Sequence, residues 1–437
     1  MHPKEGWRNG RPPIPGVSGP VPSRSALSRR AFLRRGAGAS AGLALGATGL
    51  GGALSACSGA LLADASLKAL PLSRPDHPVR WPIYADNRPI KSGLLPERNA
   101  TLKIYNWVAY VNPKVLKDFG KKYNCSVEVT TFNTMTEALA KLSSGSVNFD
   151  VFMGVTGDVI GKCVAQKLIQ PLNHSYIPNI RQAWREYTNP FYDQGWQYTV
   201  PYTIYSTGIS WRKDHIPDDP GSWQNGYAFP WQSKYAGKVA ILDDYRESPS
   251  LALMKNGIYD LNTTDPHQIA LARDSLLELA KMTNVHIDNN DYTNVPSGQI
   301  WIHHSWSGDM AASYAYLPKG VPADVIGYWF PADGRGPVAN DTMTVLRGAQ
   351  NPVLAHLLLN YLEDLPNALT NISFNGYMQP IHGVTPARLE HDGILPKALS
   401  STVVLESYFK HGLWELQLPV RTDLAWQQAW QVVSLGI

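Results

Sequence analysis

Cysteine is scarce in this sequence, with three residues in a chain of 437. So few thiols exclude a disulfide scaffold as the basis of the fold. Cys125 begins a predicted strand, while Cys163 lies about one turn into a predicted helix that follows another strand. Because these positions fall at opposite ends of an α/β sheet, their Cα atoms are too far apart for a bridge. We therefore expect Cys125 and Cys163 to be buried free thiols.

A strong charge of either sign is also missing from the body of the chain. The formal net charge of +4 arises in residues 1–56, which hold eight Lys or Arg and one acid. Removing these from the totals of 39 basic and 35 acidic residues leaves 31 and 34. Such a body carries no basic surface for nucleic acid, so we expect no nucleic-acid partner. Its slight acidity suits a cationic ligand, although solubility alone would also account for it.

Catalytic and metal-binding signatures are lacking as well. The sequence contains no phosphate-binding P-loop and no H-E-x-x-H motif. His303 and His304 are adjacent, and neighbouring strand residues point to opposite faces, so we predict one inward and one outward side chain rather than a metal pair. The sequence indicates neither a cofactor, a metal site nor an enzyme. An exported hydrolase stays open as an alternative, because two catalytic acids meet through the fold and not through sequence spacing.

No run is bulky and apolar enough for a permanent membrane span, but the N-terminus carries the features of an export signal. Ser28-Arg29-Arg30-Ala31-Phe32-Leu33 is a twin-arginine motif, and residues 36–53 form a weakly hydrophobic run of Gly, Ala and Leu. Leu54-Ser55-Ala56-Cys57 then resembles a lipobox. These three features stand in the order that an exported precursor requires. We expect residues 1–57 to be a lipoprotein signal, with lipidated Cys57 as the only attachment to the membrane, at the outer face of the cytoplasmic membrane or in the periplasm.

The rest of the chain divides into a proline-rich segment and an α/β body. Residues 58–99 contain six prolines, which favours a tether or a surface strap over a domain. From Thr101 onward, strand and helix patterns alternate, which predicts a parallel α/β sheet. Ligands of such sheets bind at the carboxyl ends of the strands. Trp107, Tyr110 and the loop 154–158 follow predicted strands at such ends.

A series of short motifs resembles the spermidine/putrescine-binding proteins of bacterial ABC transporters. In chain order the motifs are Tyr105-Asn106-Trp107-x-x-Tyr110, Phe149-Asp150-Val151, Thr207-Gly208-Ile209, Asp244-Tyr245-Arg246-Glu247, Trp306-Ser307-Gly308-Asp309, Asp341 and Gly376-Tyr377. Each motif alone is weak, but their order and spacing hold over roughly residues 100–430. The resemblance implies a monomeric, two-lobed periplasmic-binding fold, with a ligand cleft between the lobes and chain crossovers at a hinge. It also implies delivery of a polyamine to an ABC permease.

The resemblance assigns the chain to two lobes. One lobe would contain residues 100–206 plus 340–385, and the other residues 207–339 plus 386–437. Hinged closure of such lobes selects ligands that contact both of them.

Eight residues are the candidate ligand contacts. A polyamine is an apolar chain with ammonium groups, so carboxylates suit its amines and aromatic faces suit its methylenes. By the resemblance, the carboxylates are Asp244, Glu247, Asp309 and Asp341, and the aromatic residues are Trp107, Tyr110, Trp306 and Tyr377. Core packing is the alternative for Trp107. A salt bridge with Arg246 or a role in a turn is the alternative for Asp244.

Several positions depart from the family pattern. Val108 replaces a usual Ser or Thr, Val155 and Gly157 replace a Ser and an aromatic residue, and Ala339 replaces a Trp. Two aromatic walls are therefore missing, and Asp158 adds an acid. The polyamine class is expected to survive these changes better than the choice of one polyamine. Another organic cation, an amino acid or a sugar in the same fold is the alternative.

Overall fold

The structure, a computed structural model, describes residues 71–436. The predicted twin-arginine motif, the lipobox and Cys57 therefore lie outside the described residues. Within residues 71–436, no helix is both long enough and apolar enough to cross a membrane.

Nine strands are present in the described part of the chain. They are β1 (Thr101–Trp107), β2 (Ser126–Phe132), β3 (Val151–Thr156), β4 (Val200–Arg212), β5 (Val239–Ile241), β6 (His286–Ile287), β7 (Ile302–Trp306), β8 (Ile326–Trp329) and β9 (Val338–Val345). Their order in the sheet is β2-β1-β3-β9-β4-β7-β5-β6, and β8 pairs with β4 outside this path.

Twelve α-helices accompany these strands between residues 71 and 436. They are α1 (Pro113–Tyr123), α2 (Met135–Ser143), α3 (Ile160–Ala165), α4 (Glu247–Lys255), α5 (Pro266–Thr283), α6 (Asp291–Asn294), α7 (Ser307–Ser313), α8 (Pro352–Leu362), α9 (Leu365–Asn375), α10 (Pro386–His391), α11 (Tyr408–His411) and α12 (Val420–Gly436). Short 3-10 helices lie at His174–Tyr176, Pro178–Gln182, Arg185–Tyr187, Pro220–Ser222, Gly226–Ala228, Ser233–Tyr235, Tyr314–Tyr316, Ala323–Val325 and Lys397–Thr402.

Local sequence explains where the first helices begin and end. Helix α1 begins at Pro113, whose missing N–H costs nothing in the first turn, and the Asn112 side chain accepts a hydrogen bond from the Lys114 amide. The helix ends at Asn124, which adopts the left-handed conformation. Helix α5 repeats this arrangement with Asp265 as the N-cap and Asn284 as the left-handed C-cap.

The strand β4 joins two parts of the sheet. Its first half, from Val200 to Ser206, pairs antiparallel with β9. Its second half, from Thr207 to Arg212, pairs antiparallel with β7 and β8. Parallel pairing is limited to β1 with β2 and β3, and to β5 with β6 and β7. The prediction of a parallel sheet is therefore wrong in its centre, because β4 and β9 run against their neighbours to carry the chain across. The predicted lobe boundary at residues 206/207 stays a proposal, which these pairings support.

Each part of the sheet has its own hydrophobic core. The first core packs β1, β3 and β9 against α1 and α8, with Leu102, Phe119 and Leu358 fully buried. The second packs β5 and β7 against α4, α5 and α12, with Leu251 and Leu276 fully buried. The junction between these cores is the place where a ligand could contact both parts.

Residues 71–99 lie along the surface of the first part without forming a helix or a strand. The indole of Trp81 is 2% exposed and donates to the Tyr192 carbonyl at 2.7 Å. The Asn87 side chain donates to the Ile169 carbonyl at 2.9 Å. Glu97 accepts from the amides of Val353 and Leu354 at 3.1 and 2.9 Å, at the start of α8. We name this segment the strap.

Two predictions about buried side chains need correction. Both described cysteines are free, but only Cys163 is buried, while Cys125 is half-buried just before the edge strand β2. His303 and His304 are both fully buried, so the expectation of one outward side chain is wrong. Strand β7 lies between β4 and β5, and both of its faces are covered. In the described residues, no group of three or more His, Cys, Asp or Glu side chains could hold a metal ion.

Candidate ligand-binding site

The site begins at the carboxyl ends of β1 and β3. Trp107 ends β1, and its indole nitrogen donates to the Gly154 carbonyl at 3.0 Å. Gly154 lies at a β-bulge in β3 with φ +73°, a backbone conformation that favours glycine. A Cβ atom at Gly154 would stand 2.2 Å from Cδ1 of Trp107. The bulge and the glycine together fix the position of the Trp107 ring.

Five aromatic side chains follow one another across the junction. The ring centroids of Trp107 and Trp306 are 6.3 Å apart, and those of Trp306 and Tyr205 are 6.5 Å apart. The Tyr205 ring is 6.0 Å from that of Tyr377, which is 4.9 Å from Tyr110. All four pairs meet edge to face, which is a favourable geometry for aromatic rings. We name the space beside these five rings the cleft.

Asp341 is the carboxylate at the Tyr110 end of the cleft. It lies on β9, is 5% exposed, and its Oδ2 accepts from the Tyr110 hydroxyl at 2.6 Å. The Tyr205 hydroxyl lies near this carboxylate, and Oδ1 is buried without a hydrogen-bond partner. Burial raises the pKa of Asp341 to about 7, the Tyr110 hydrogen bond opposes this shift, and the charge of Asp158 adds to it.

Glu247 is the carboxylate at the Trp306 end. It opens helix α4 and is 6% exposed, and its Oε1 accepts from Trp306 at 2.8 Å and from Thr207 at 2.9 Å. The other oxygen, Oε2, is buried without a donor. Burial raises the pKa of Glu247 to about 7, with a further contribution from the charge of Asp244.

Further acids surround Glu247. The carboxylate of Asp244 accepts from the Arg246 and Glu247 amides at 2.7 and 3.1 Å, which is the turn role considered as its alternative. Glu415 accepts from the Ser250 hydroxyl at 3.0 Å, and burial followed by the charge of Glu247 raises its pKa well above the ordinary value. Asp158 lies 3.9 Å from the Arg246 guanidinium.

Arg246 is the cation of this acidic group; its two terminal nitrogens donate within the protein, and its Nε is buried without a partner. Its guanidinium donates to the carbonyls of Leu416 and Leu261 and to the Asn262 side chain at 2.9 to 3.1 Å. It also stacks over the Trp426 ring at 5.1 Å. The terminal nitrogens of Arg246 therefore hold the surrounding loops together.

Asp309 lies behind the wall of the cleft. It stands in the first turn of α7, where its carboxyl group lies near the Tyr377 hydroxyl and the carboxyl group of Asp291. Burial raises its pKa to about 6, and the interactions with Asp291 and Tyr377 oppose the shift. Asp309 therefore contacts the Tyr377 wall, whereas Glu247 and Asp341 border the cleft.

Comparisons with known proteins identify the family of this chain. The model of the family described as bacterial extracellular solute-binding protein matches residues 114–395, more than half of the chain. The chain belongs to this family. Its members are solute-binding proteins and not enzymes.

Two curated relatives show the level of sequence identity between this solute-binding protein and proteins that are named for their ligands. The spermidine/putrescine-binding periplasmic protein of Escherichia coli is 30% identical over 268 residues, which are 60% of this chain and 73% of the relative. The putrescine/cadaverine-binding protein of Pseudomonas aeruginosa is 27% identical over 276 residues, which are 62% of this chain and 77% of the relative.

Solved structures confirm the two-lobed α/β fold. A Treponema pallidum lipoprotein matches with a TM-score of 0.64 at 23% identity, over 76% of this chain and 99% of that one. A spermidine/putrescine ABC transporter substrate-binding protein from Streptococcus pneumoniae matches with a TM-score of 0.60 at 20% identity, over 77% and 99%. The fold expected from the sequence resemblance is therefore confirmed.

Six of the eight predicted site residues of this solute-binding protein border one cleft, and their role as ligand contacts stays a prediction. These six are Trp107, Tyr110, Glu247, Trp306, Asp341 and Tyr377. Asp244 supports Glu247 from behind, and Asp309 supports Tyr377. The motifs gave no signal for Glu415, because it lies in a C-terminal loop far from them in sequence. Tyr205 was also missed, although its place two residues before Thr207 in a buried strand was a usable signal.

The pairing of Tyr205 with Ala339 compensates for one departure from the family pattern. These two residues are partners in the β4–β9 ladder. The small Ala339 side chain leaves its large neighbour on β4, Tyr205, to supply an aromatic surface near Asp341. Gly157 is explained differently, because a Cβ there would stand 2.7 Å from the Tyr192 ring.

Proposed function

We propose that this solute-binding protein binds a polyamine of the spermidine or putrescine class between its two lobes. The observation that carries the proposal is the pair of buried carboxylates, Glu247 and Asp341, each with one oxygen that lacks a donor. The rings of Trp306 and Tyr205 lie between them. With the lobe boundaries as proposed, each lobe supplies one carboxylate, so a diamine that contacts both favours closure.

The energetic reason is that an unpaired buried carboxylate is costly. Burial without a partner disfavours its charged form, and an ammonium group supplies both the charge and the hydrogen bonds that it lacks. Aromatic faces next to an ammonium add about 0.5–2 kcal/mol per contact. The names of the Escherichia coli and Pseudomonas aeruginosa relatives support the same ligand class for this chain.

The acids near the cleft argue against an anionic ligand. Five acidic residues interact electrostatically in this region, because the charges of some raise the pKa of others. They are Asp158, Asp244, Glu247, Asp341 and Glu415. Arg246 is the cation among them, and its two terminal nitrogens already donate to backbone carbonyls and Asn262. An amino acid would bring its carboxylate next to several acids, where the paired terminal nitrogens of Arg246 are not available to receive it.

The binding proposal is tested by titration calorimetry with putrescine and spermidine. We expect Asp341→Asn to lower polyamine affinity roughly thirtyfold or more with the fold intact, because breaking a desolvated charge pair costs about 2–5 kcal/mol. Glu247→Gln should act in the same direction. Butylamine, which lacks the second ammonium of putrescine, is the matched ligand control and should bind much more weakly.

Near-native polyamine affinity of Asp341→Asn would remove this residue from the site. Tight binding of glucose, glutamate or another amino acid, with no binding of polyamines, would instead favour the alternative ligands. Hydrolysis of a glycoside or an ester by the purified protein would favour the alternative of an exported hydrolase.

We also propose that the protein is a lipoprotein, anchored by Cys57, that delivers its ligand as a monomer to an ABC permease. The ordered twin-arginine motif and lipobox support the anchor, and the family supports the place outside the cytoplasm. Arg29→Lys with Arg30→Lys should retain the precursor in the cytoplasm, because the motif is read by the export machinery. Cys57→Ala should release the protein from the membrane fraction, and membrane retention of this variant would contradict lipid anchoring.

A further inference from the structure

A buried pair of carboxyl groups lies directly behind Tyr377. Asp291 begins helix α6 and is fully buried, and both of its carboxyl oxygens lack a hydrogen-bond donor. The group that it meets is the carboxyl of Asp309. Two ionised carboxylates cannot donate to each other, so a hydrogen bond between them needs one proton. Burial raises the pKa of Asp291 well above its ordinary value, and the charge of Asp309 adds to this shift, so Asp291 is the partner that keeps the proton.

Tyr377 is held against this pair by an unusually close backbone approach. A Cβ at Gly308 would stand 2.3 Å from the Tyr377 ring, and a Cβ at Gly376 would stand 2.1 Å from the Gly308 carbonyl oxygen. Gly376 has φ +78° and ends helix α9, so the chain turns here to bring Tyr377 onto Gly308. The Tyr377 hydroxyl then lies near Asp309, while the ring packs edge to face with Tyr110 and Tyr205 beside the cleft.

The other titratable groups near the pair come from neighbouring elements. His303 on β7 and Asp288 before α6 interact electrostatically with Asp291, and the His303 Nε2 and Asp288 Oδ1 atoms lie 3.6 Å apart. Tyr292 on α6 lies near both carboxyl groups, and the raised pKa of this tyrosine follows from burial and then from the charge of Asp309. His303 already donates through Nδ1 to the His304 carbonyl at 2.6 Å, and its other nitrogen faces Asp288.

We propose that Asp291 and Asp309 share one proton and together position Tyr377 as a wall of the ligand cleft. Asp291 donates the proton to Asp309, and Asp309 accepts a second hydrogen bond from the Tyr377 hydroxyl. With the lobe boundaries as proposed, this chain of hydrogen bonds joins both lobes beside the cleft. Asp309 then acts on the ligand through Tyr377, and both aspartates are positioning residues. This inference rests on the proposed function for its ligand, but the shared proton does not depend on it.

Substitutions at Asp291 test whether the proton matters, with putrescine as the probe and the full mature chain as the protein. Asp291→Asn keeps a donor toward Asp309, so we expect its putrescine affinity to stay within threefold of the wild type. Asp291→Leu removes the donor while keeping the size, so we expect affinity to fall tenfold or more. If the Asp291 side chain only fills space, the Asp291→Leu variant will bind putrescine as tightly as the wild type does. That result would overturn the proposal.

A second measurement needs no ligand. Because the folded-state pKa of Asp291 is raised, the folded protein holds more protons than the unfolded chain above the ordinary Asp pKa. The unfolding free energy should therefore fall as pH rises above the ordinary Asp pKa of about 4, and less steeply in Asp291→Asn by about one proton. Equal slopes in the two proteins would overturn the shared proton, and they would do so whether or not putrescine binds.

Glu363→Gln is the matched control. Glu363 is also fully buried without a donor to its carboxyl oxygens, and burial raises its pKa well above the ordinary value. Glu363→Gln should change the slope of the unfolding free energy against pH, and it should leave the putrescine affinity unchanged. If Asp291→Leu does not fold, a double-mutant cycle of Tyr377→Phe with Asp309→Asn replaces it. Coupled effects on putrescine affinity are expected, and additive effects would overturn the positioning role.

Discussion

At the scale of single residues, the main property of the cleft is that the pKa values of its two carboxyl groups lie close to neutral pH. The pKa of Glu247 and that of Asp341 are both raised to about 7, in each case first by burial. Each group already receives hydrogen bonds on one oxygen, which keeps the other oxygen in place. Without a ligand, these groups exchange protons with solvent close to physiological pH.

Polyamine affinity should consequently depend on pH. A bound ammonium stabilises the ionised carboxylates and lowers their pKa, so binding at pH 7 releases protons. Affinity should fall as pH decreases from 8 to 6, roughly tenfold for each of the two carboxyl groups, while the ligand amines with a pKa of about 10 stay charged. Calorimetry over this pH range in buffers of different ionisation enthalpy measures both effects. Asp341→Asn should lose about half of the pH dependence on a logarithmic scale, and an unchanged profile in this variant would contradict the assignment.

Residue types could be predicted from the motifs better than residue roles. Glu247 and Asp341 both border the cleft, and their role as ligand contacts stays a prediction. Asp244 and Asp309 were indistinguishable from them in sequence, yet one accepts from backbone amides and the other faces a second carboxyl group. Which side of a short turn a carboxylate faces depends on packing that the motif does not contain.

At the scale of secondary structure, the bulge in β3 positions the first wall of the cleft. The register between β3 and β9 shifts between Met153 and Val155, and the residue between them is Gly154. Its missing side chain leaves room for the Trp107 ring, and its carbonyl accepts the indole hydrogen bond. An irregularity of one residue in a strand therefore sets the orientation of an aromatic ring on the neighbouring strand.

Replacing Gly154 by alanine should weaken polyamine binding. The new Cβ would displace Trp107 and the backbone would be strained, which together should cost about 1–3 kcal/mol of stability. Gly145→Ala is a matched control, because Gly145 has φ +65° but no atom within 4 Å of the added Cβ. Thermal unfolding of both variants measures the effect of backbone strain on stability. Calorimetry of both measures the effect of displacing the Trp107 ring on polyamine affinity. Equal polyamine affinities in the two variants would show that the position of Trp107 is irrelevant to the ligand.

Most strands and helices could be predicted from periodicity and caps, but the direction of the central strands could not. The Asn112-Pro113 and Asp265-Pro266 pairs predict helix starts because side chain and proline act locally. The antiparallel direction of β9 depends on a long connection from β8 and on its partners β3 and β4. Alternating patterns give no information on such distant pairing.

At the scale of the whole molecule, the strap adds a hydrophobic anchor outside the matched family region. Trp81 and Val79 are buried in a cluster with Phe152 and Ile160, on the face of the first sheet opposite to α1 and α8. The strap therefore covers a sheet face that would otherwise be partly open to water.

Removal of the Trp81 ring should destabilise the protein. Replacing a buried tryptophan by alanine costs about 3–5 kcal/mol, and here the hydrogen bond to the Tyr192 carbonyl is lost as well. Ile83→Ala is the control within the same segment, because Ile83 is 51% exposed and should change stability by less than about 0.5 kcal/mol. Urea unfolding measures both variants. A Trp81→Ala variant as stable as Ile83→Ala would show that the strap is not anchored to the body.

The two-lobed arrangement came from the resemblance and not from composition or periodicity. The strap lay in a segment whose prolines indicated only a lack of regular structure. Its anchoring depends on Tyr192 and Ile169, which are distant in sequence and became neighbours only in the folded chain.

The continuity of β4 determines how the two lobes can move. At the crossing point, the Ser206 amide donates to the Ser307 hydroxyl and the Thr207 amide donates to the Pro337 carbonyl. Both residues are 1% exposed, so no loose joint exists at this position on β4. With the lobe boundaries as proposed, we expect opening and closing to bend or twist this paired strand over several residues and not to rotate about a loop. A strand that is bent in this way resists further deformation, so we expect it to restrict the range of cleft opening.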